Sequence, residues 1–287
     1  MTTSEVAAYL RVKERTVYEL VRTERIPCTR VTGKWLFPKT LIDLWLARGV
    51  AGDAALPQPP PVVAGSHDPL LDWALRESGC GLAFLPEGSG AGLRRLAERG
   101  AVAAGLHILD AETRGYNVAA LRGAVGLGDV VLIGWAWRQE GLVTAPGNPL
   151  GLASLADVAA RRARVVGRQE GAGAQILLRH LAGAAGIDMA ALNLLPRPAS
   201  TGSDLAAPIL DGRADCGIAV AAVARRFRLG FVPLQRERFD LAVHRRAYFE
   251  PQFQALLAFA HGADCAAMAA DMTGYDQSCL GQVMWNA

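Results

Sequence analysis

Cysteine is scarce in this sequence, and its spacing excludes the common cysteine-based scaffolds. Five cysteines are scattered over 287 residues, and no two of them form a C-x-x-C pair. An odd and dispersed set argues against a disulfide framework and against a cysteine-based zinc site. It is typical of a reducing compartment, so we expect a cytoplasmic protein.

Long apolar runs are missing as well. No stretch reaches the roughly 20 apolar residues that a membrane-spanning helix needs. Residues 1–10 read as a polar helix start rather than as a signal peptide. We therefore expect no membrane partner. The length of 287 residues indicates one to three domains, and a composition that is 51% hydrophobic is enough to build their cores.

Complete catalytic and nucleotide-binding motifs are also absent. The sequence contains no full G-x-G-x-x-G, Walker A or G-x-S-x-G pattern. The carboxylates Asp68, Glu87 and Glu170 stand at no spacing typical of a catalytic pair, and no nucleophile–base pair or metal-ligand cluster stands out. We therefore expect no enzymatic activity, no metal and no cofactor. An enzyme is the alternative from a different class, and a turnover screen would decide between them.

Positive charge is concentrated at the beginning of the chain. Residues 1–50 carry a net charge of +4, whereas the remaining residues carry −1. A small basic segment on a near-neutral body indicates a polyanionic partner for that segment. Its pattern predicts two short helices joined by a tight turn, then a hairpin and a third helix. The predicted elements are a helix capped by Thr3, a turn at residues 11–12, a helix at 13–21, a hairpin of 28–31 with 34–37, and a helix at 40–46.

This order, in "TTSEVAAYLRVKERTVYELVRTERIP…GKWLFPKTLIDLWL", resembles the excisionase-type, MerR-like winged helix-turn-helix family. The resemblance implies a DNA-binding domain at residues 1–50. It departs from the family at Lys13, where a Ser or Thr cap is common. A protein-binding winged module is the alternative. The residues implied to contact operator DNA are Lys13, Arg15, Thr16, Tyr18, Arg30, Lys34 and Trp35.

Residues 51–62 read as a linker, because four prolines favour an extended polyproline II segment. From residue 63 onward, apolar strand candidates alternate with helix starts rich in glycine and serine. This alternation predicts an α/β domain with largely parallel sheets and a ligand site at the carboxyl ends of the strands. The clearest unit is residues 164–183, in which a strand enters a glycine-rich loop and a helix closed by Gly183. Arg168 stands in that loop, beside backbone N–H groups that favour an anion.

Four such loops offer donors to a ligand, although each serine could equally be a helix cap. His67 and His107 adjoin these loops, but lone histidines are more often structural hydrogen-bonding residues. The loop after Arg168 has alternating Gly and Ala, so the donors that it offers are backbone N–H groups. The candidate ligand-binding residues are Ser66, His67, Ser89, Gly90, Arg168, Gln169, Gly171, Thr201 and Ser203.

Residues 63–287 resemble the type II periplasmic-binding-protein fold, and in particular the molybdate/tungstate-binding domain of bacterial regulators. The motifs that carry the resemblance are "GSHDPLLD", "GSGAGLRRLAERGAVAAGLHILDAETRGYN", "GRQEGAGAQILLRHL" and "DLAAPILDGRADCGIAV". The resemblance implies two lobes, one at about 63–137 and 241–287, the other at about 143–235. The chain would cross between them near residues 137–143 and 236–243.

Taken together, these observations predict a transcriptional regulator that binds operator DNA as a homodimer and senses a small oxyanion, with molybdate or tungstate as the best guess. A pocket with donors alone would suit such an unprotonated oxyanion. Phosphate, which is partly protonated at pH 7, would need an acceptor such as Asp68 or Glu170. A deep pocket with a buried carboxylate would favour the alternative of a small organic ligand.

Overall fold

The structure, a computed structural model, describes residues 1–30, 33–48 and 58–287. They form two compact units, Met1–Gln58 and Pro59–Ala287. Residues 51–57 of the predicted linker and residues 31–32 of the predicted hairpin lie outside the described residues. In the described part of the chain, no helix has the length and apolar character needed to cross a membrane.

The N-terminal unit contains helices α1 (Thr3–Leu10), α2 (Glu14–Arg22) and α3 (Lys39–Arg48). Thr2 caps α1 rather than Thr3, because its hydroxyl accepts from the Glu5 N–H while Glu5 accepts from the Thr2 N–H. Lys13 precedes α2 and makes no side-chain cap. Between α2 and α3, Thr29 and Leu36 form an antiparallel bridge at the predicted hairpin. The core of this unit contains Val6, Ala7, Val17, Ile26, Phe37 and Ile42.

The C-terminal unit is built on one mixed sheet with helices packed around it. Its strands are β1 (Val62–Gly65), β2 (Ala83–Pro86), β3 (Ala103–Leu106), β4 (Val130–Thr144), β5 (Arg164–Val166), β6 (Asn193–Leu194), β7 (Cys216–Val220), β8 (Gly230–His244), β9 (Tyr275–Asp276) and β10 (Val283–Asn286). Its helices are α4 (Pro69–Glu77), α5 (Ser89–Ala97), α6 (Val118–Gly123), α7 (Leu155–Ala160), α8 (Gly173–Ala184), α9 (Ala206–Leu210), α10 (Ala221–Phe227), α11 (Arg245–Tyr248), α12 (Pro251–Ala260) and α13 (Ala263–Met272), with a 3₁₀ turn at Met189–Ala191.

Two long central strands, β4 and β8, connect the two halves of this sheet. The strand order is β2-β1-β3-β8-β4-β7-β5-β6. The strand pairs around β1 and β5 are parallel. In contrast, β4 and β8 are antiparallel to each other, β4 is antiparallel to β7, and β8 is antiparallel to β3. The expectation of largely parallel sheets is therefore wrong for the centre. The reason is that the chain crosses along β4 and returns beside it along β8.

Separate hydrophobic cores support the two halves. The β1–β3 half is packed by residues such as Leu70, Trp135 and Phe239, and the β5–β7 half by residues such as Leu177 and Ile218. The two-lobed α/β architecture expected from the sequence is thus present. The expected end of α8 at Gly183 is wrong, because the helix continues to Ala184 and Gly186 adopts the left-handed conformation at φ 68°.

Candidate functional sites

A small cavity of about 20 Å³ lies among residues from both halves of the C-terminal unit. It is large enough for a water-sized occupant. The loops after β1 and β5 and the long strand β4 all contribute to its wall. The lining residues are Ser66, His67, Pro69, His107, Arg138, Glu140, Arg168, Gly202, Ala219, Val220 and Val223.

Arg138, in the middle of β4, is the centre of a buried ionic network. Its Nε donates to Glu237 Oε1 at 2.8 Å, its Nη2 contacts the same oxygen, and its Nη1 donates to Asp68 Oδ2 at 2.9 Å. The guanidinium also lies 4.5 Å from the ring centroid of Phe239. Desolvation alone would lower the pKa of Arg138, but the charges of Glu237 and Asp68 outweigh it and raise that pKa.

Asp68 is buried behind the cavity wall and is fully supplied with donors. Its Oδ1 accepts from the Leu71 N–H at 2.7 Å, which caps α4, and from Trp135 Nε1 at 3.3 Å. Its Oδ2 accepts from the Tyr275 hydroxyl at 2.7 Å in addition to Arg138. Glu170, the other acceptor considered from the sequence, pairs with Arg179 at 2.6 Å on an exposed surface. Neither carboxylate is therefore placed as a ligand acceptor in the cavity.

His107 and Glu237 form a second buried contact, with His107 Nδ1 2.9 Å from Glu237 Oε2. Burial lowers the pKa of His107, so the ring is neutral at pH 7 and its Nδ1 carries the proton that faces the carboxylate. Burial alone would raise the pKa of Glu237, but Arg138 and His107 lower it to about 2. Glu237 is therefore an ionised and fully paired carboxylate at neutral pH.

Glu140 differs from these two carboxylates because one of its oxygens has no hydrogen-bond partner among the described residues. It is 2% exposed and lines the cavity, yet its Oε2 has no hydrogen-bond partner among the described residues. Its Oε1 lies 3.9 Å from Arg138 Nη2, which is too long for a hydrogen bond. Burial raises the pKa of Glu140 well above its ordinary value, and the charge of Glu237 and a hydrogen bond with it raise that pKa further, which favours the protonated form of Glu140.

Arg168, a predicted ligand-binding residue, lines the cavity. Its Nε donates to the Ala199 carbonyl at 3.0 Å and its Nη2 to the Ser200 carbonyl at 2.9 Å. Its backbone N–H donates to Gln175 Oε1 at 3.0 Å. Within the described ranges, Nη1 has no hydrogen-bond partner. Burial lowers the pKa of Arg168 while the charge of Glu140 opposes this effect, so a fixed guanidinium and a carboxylate share the cavity wall.

The glycine-rich loop before α8 contacts the other half of the unit directly. The Gly90 N–H donates to the Gly171 carbonyl at 3.2 Å. A Cβ on Gly173 would lie 2.5 Å from Cε1 and Nε2 of His107. The contact at Gly173 requires glycine, because a Cβ at this position would clash with the His107 ring and hold the two halves apart. Gly90 and Gly171 were predicted to contact a ligand, but in this structure they contact each other.

The remaining predicted ligand residues divide between the cavity and its surroundings. Ser66 and His67 line the cavity. Ser89 lies behind Ser66, because its Oγ is 2.9 Å from Ser66 Oγ and accepts from the His107 N–H at 3.2 Å. Gln169 donates to the Ser200 carbonyl at 3.2 Å. Thr201 and Ser203 flank Gly202, which lines the cavity, but they are outside the lining set.

Sequence reasoning missed Arg138, Glu140 and Glu237. A signal was available in β4, where Arg138, Gln139 and Glu140 interrupt a largely apolar strand. Charged residues inside a buried strand need partners, so they mark a polar site. His107, Glu140 and Glu237 also place possible metal-ligand atoms within 4.8 Å of one another. The guanidinium of Arg138 already provides the positive charge beside Glu237, so we assign no metal there.

The residues implied to contact DNA lie on the surface of the N-terminal unit. Lys13, Arg15, Thr16 and Tyr18 are exposed at the start and outer face of α2, and Arg30 and Lys34 are exposed at the bridge. Trp35 is half-buried, and Arg30 stacks over its ring at 5.4 Å. Arg15 Nε lies 3.4 Å from Glu19, an exposed and weak pair that leaves its guanidinium accessible.

Two family models cover the two units of the chain. The model of the PBP superfamily domain matches residues 73–261, which is more than half of the sequence. The chain belongs to the PBP superfamily. A helix-turn-helix domain model matches residues 1–50. A helix-turn-helix domain followed by a PBP superfamily domain is the organisation of a ligand-binding, DNA-binding regulator.

Individual proteins resemble the chain over most of its length. Uncharacterized protein YvgK of Bacillus subtilis strain 168 is 24% identical over 300 residues, covering 99% of this chain and 97% of YvgK. A putative phosphate ABC transporter substrate-binding protein with bound phosphate from Clostridium perfringens has a TM-score of 0.56 at 11% identity, covering 77% of this chain and 98% of its own. The tungstate ABC transporter from Geobacter sulfurreducens has a TM-score of 0.53 at 13% identity, covering 73% and 97%. At these identities, the two structures show the fold alone.

Proposed function

We propose that this protein is a cytoplasmic one-component transcriptional regulator that binds a small oxyanion in the cleft of its PBP domain and operator DNA through its helix-turn-helix domain. The observation that carries the proposal is the position of Arg168 in the cavity wall. Two backbone carbonyls hold its guanidinium, and Nη1 is left over for a ligand. A fixed guanidinium is well suited to an oxyanion, because its forked donors match the oxygens.

Closure of the cleft is the conformational change that would connect ligand to DNA. In this structure, Gly90 contacts Gly171 and His107 packs on Gly173, so the two halves already touch. A cavity of about 20 Å³ must widen before a tetrahedral oxyanion can enter. A ligand that then bridges Arg168 and Ser66 would favour one arrangement of the halves over another, which is the requirement for a switch.

Molybdate and tungstate stay predictions within this class. The sequence favoured molybdate and tungstate because a pocket that contains only hydrogen-bond donors suits an unprotonated oxyanion. The carboxyl group of Glu140 lies in the cavity wall, so the pocket does not contain donors alone. One protein of similar fold is named for tungstate and another for bound phosphate. The proposal therefore covers small oxyanions as a class, and we include no catalytic step and no cofactor in it.

A small organic ligand is the second candidate, because Glu140 is the kind of buried carboxylate that could bind an ammonium group or a hydroxyl. The cavity must widen for either ligand, and the oxyanion is favoured because an organic molecule would require the larger opening. We further propose a homodimer formed through the C-terminal unit. A short basic surface neutralises few phosphates, so a single helix-turn-helix domain binds DNA weakly.

Binding measurements on Arg168 variants test the proposal. Thermal shift of the full chain with molybdate, tungstate, sulfate, phosphate and amino acids identifies the ligand class, since a ligand at 100 times its Kd adds about 2.7 kcal/mol of stability. Arg168→Ala should then weaken oxyanion binding by about tenfold to a few hundredfold in calorimetry, because charge-assisted hydrogen bonds contribute about 1.5–3 kcal/mol. Arg168→Lys should recover part of the loss.

Arg179→Ala is the matched control, because Arg179 lies on the adjacent helix α8 and pairs with exposed Glu170. It should leave oxyanion affinity unchanged. Wild-type affinity in Arg168→Ala would contradict the assignment of the cleft. Stabilisation by amino acids alone would favour the organic-ligand alternative.

A further inference from the structure

A second cavity, of about 410 Å³, lies between helices α4, α10 and α13, and we call it the α4–α10–α13 pocket. Its walls come from both halves of the C-terminal unit, because α4 and α13 pack in the core of the β1–β3 half and α10 packs beside β7. Pro69, the first residue of α4, lines both this pocket and the central cavity. Sites for small organic molecules have volumes of about 300–1,000 Å³, so this pocket has the size of a ligand site.

The floor of the α4–α10–α13 pocket is apolar. Trp73, Met268 and Met272 line it, and each is half-buried. The ring of Trp73 packs against Phe259 with 5.4 Å between the ring centroids, which holds the indole in place. Methionine is flexible and polarizable, so it adapts to ligands of different shape. Such a floor suits an apolar or aromatic body, which gains free energy when it covers these side chains.

Three arginines line the rim of the pocket, and two of them are already paired. Arg225 Nη2 donates to Asp271 Oδ1 at 2.6 Å, and its Nη1 donates to the Thr273 hydroxyl at 3.2 Å. Arg76 Nη2 lies 3.2 Å from Asp72 Oδ2. The pair of Arg225 and Asp271 joins α10 to α13, so it also links the two halves beside the pocket. Neighbouring carboxylates thus balance the charges of two of the three guanidinium groups.

Arg226 is the third arginine of the rim, and its charge is not balanced in this way. In the part of the chain that the structure describes, its guanidinium has no hydrogen-bond acceptor, and it lies 5.7 Å from the ring centroid of Phe227. A single exposed arginine is common on a protein surface, but this one borders an apolar cavity of ligand size. The forked donors of a guanidinium match the two oxygens of a carboxylate. The rim therefore complements a ligand with one anionic group.

We propose that the α4–α10–α13 pocket is a ligand site for an amphipathic carboxylate, that is, a molecule with an apolar or aromatic body and one carboxylate group. The body covers Trp73, Met268 and Met272, and the carboxylate accepts from Arg226. Met268 belongs to one half of the unit and Arg226 to the other, so the ligand contacts both halves at once. This site is separate from the cleft and does not depend on the proposed oxyanion-binding function.

Calorimetry on the full chain with 2-naphthoate and 2-naphthamide tests the proposal, because the two probes share an aromatic body and only the first carries a carboxylate. We expect the wild-type protein to bind naphthoate about three- to tenfold more tightly, between the effect of an exposed ion pair and that of a buried charge-assisted hydrogen bond. Arg226→Gln should abolish this preference by weakening naphthoate alone. Met268→Gln makes the floor polar at a half-buried position and should weaken both probes alike.

Two control variants locate the bound probe. Arg94→Gln is matched to Arg226→Gln, because Arg94 is exposed in the last turn of α5, as Arg226 is in the last turn of α10, and lies outside the pocket. It should leave both affinities unchanged. Arg168→Ala removes the guanidinium from the cleft and should also leave naphthoate binding unchanged.

Several results would overturn the assignment of this site. Equal binding of the two probes by the wild-type protein, or an unchanged preference in Arg226→Gln, would contradict the role of Arg226. Unchanged affinities in Met268→Gln would contradict the apolar floor. Loss of naphthoate binding in Arg168→Ala would show that the probe occupies the cleft instead. Failure of the wild-type protein to bind either probe, as when a second copy of the chain covers the pocket, would overturn the proposal as a whole.

Discussion

Arg138→Met tests whether the buried ionic network holds the centre of the C-terminal unit together. Methionine is long, flexible and apolar, so it can keep much of the packing of the Arg138 side chain against Phe239. What it removes is the guanidinium that donates to Glu237 and Asp68. The two carboxylates would then be buried without the cation that they share.

The expected loss follows from what each carboxylate keeps. Asp68 retains the Leu71 N–H, Trp135 Nε1 and the Tyr275 hydroxyl, whereas Glu237 retains His107. Most of the cost therefore falls on Glu237. Breaking one buried pair costs about 3–5 kcal/mol, and we expect the free energy of unfolding to fall by about that amount rather than by twice as much.

Urea unfolding of the full chain, followed by tryptophan fluorescence, measures this loss because Trp135 is part of the network. The double variant Arg138→Met/Glu237→Gln should recover most of the stability, since it removes the stranded charge together with its partner. A loss below about 1 kcal/mol, or a double variant no better than the single one, would refute the reasoning.

The same variant predicts a dependence on pH. In the wild-type protein, the pKa of Glu237 is lowered from 4.5 to about 2. Its ionised form therefore stabilises the fold fully above pH 4.5, and this contribution is lost as the pH falls through about 2. Without Arg138, the pKa of Glu237 should rise, so protonation relieves the stranded charge. The stability deficit of Arg138→Met should accordingly shrink between pH 7 and pH 4, and a deficit that does not change would contradict this account.

Two further predictions concern the DNA surface and closure of the cleft. Arg15→Ala should weaken operator binding by about 1–3 kcal/mol if Arg15 contacts a base, and it should leave ligand affinity unchanged. A footprinting titration measures operator affinity, and an unaltered value would show that Arg15 is not part of the interface. Gly173→Ala should weaken oxyanion binding in calorimetry and enlarge the protein in small-angle scattering, because a Cβ would lie 2.5 Å from the His107 ring. Gly183→Ala is the control for this variant, since a Cβ at Gly183 has no neighbour within 4 Å among the described residues. Wild-type oxyanion affinity in Gly173→Ala would argue against the contact between Gly173 and His107.

The sequence by itself determined the elements that depend on near neighbours. The helices of the N-terminal unit follow from apolar spacing and local capping, and the error of one residue at Thr2 is typical of helix ends. Glycine-rich turns between apolar strands and helices likewise indicated the α/β alternation and placed Arg168 at the cleft. These features are readable because their causes lie within a few residues along the chain.

Only the tertiary structure decided the composition of the cavity. Arg138 lies 99 residues from Glu237 and 70 from Asp68, and the antiparallel register of β4 and β8 brings Arg138 opposite Glu237. Spacing in the sequence cannot give that register, nor can it tell that Glu170 points to solvent while Glu140 lines the cavity. Whether a charged side chain is paired, exposed or left without a donor depends on long-range packing, and this decides the chemistry of the site.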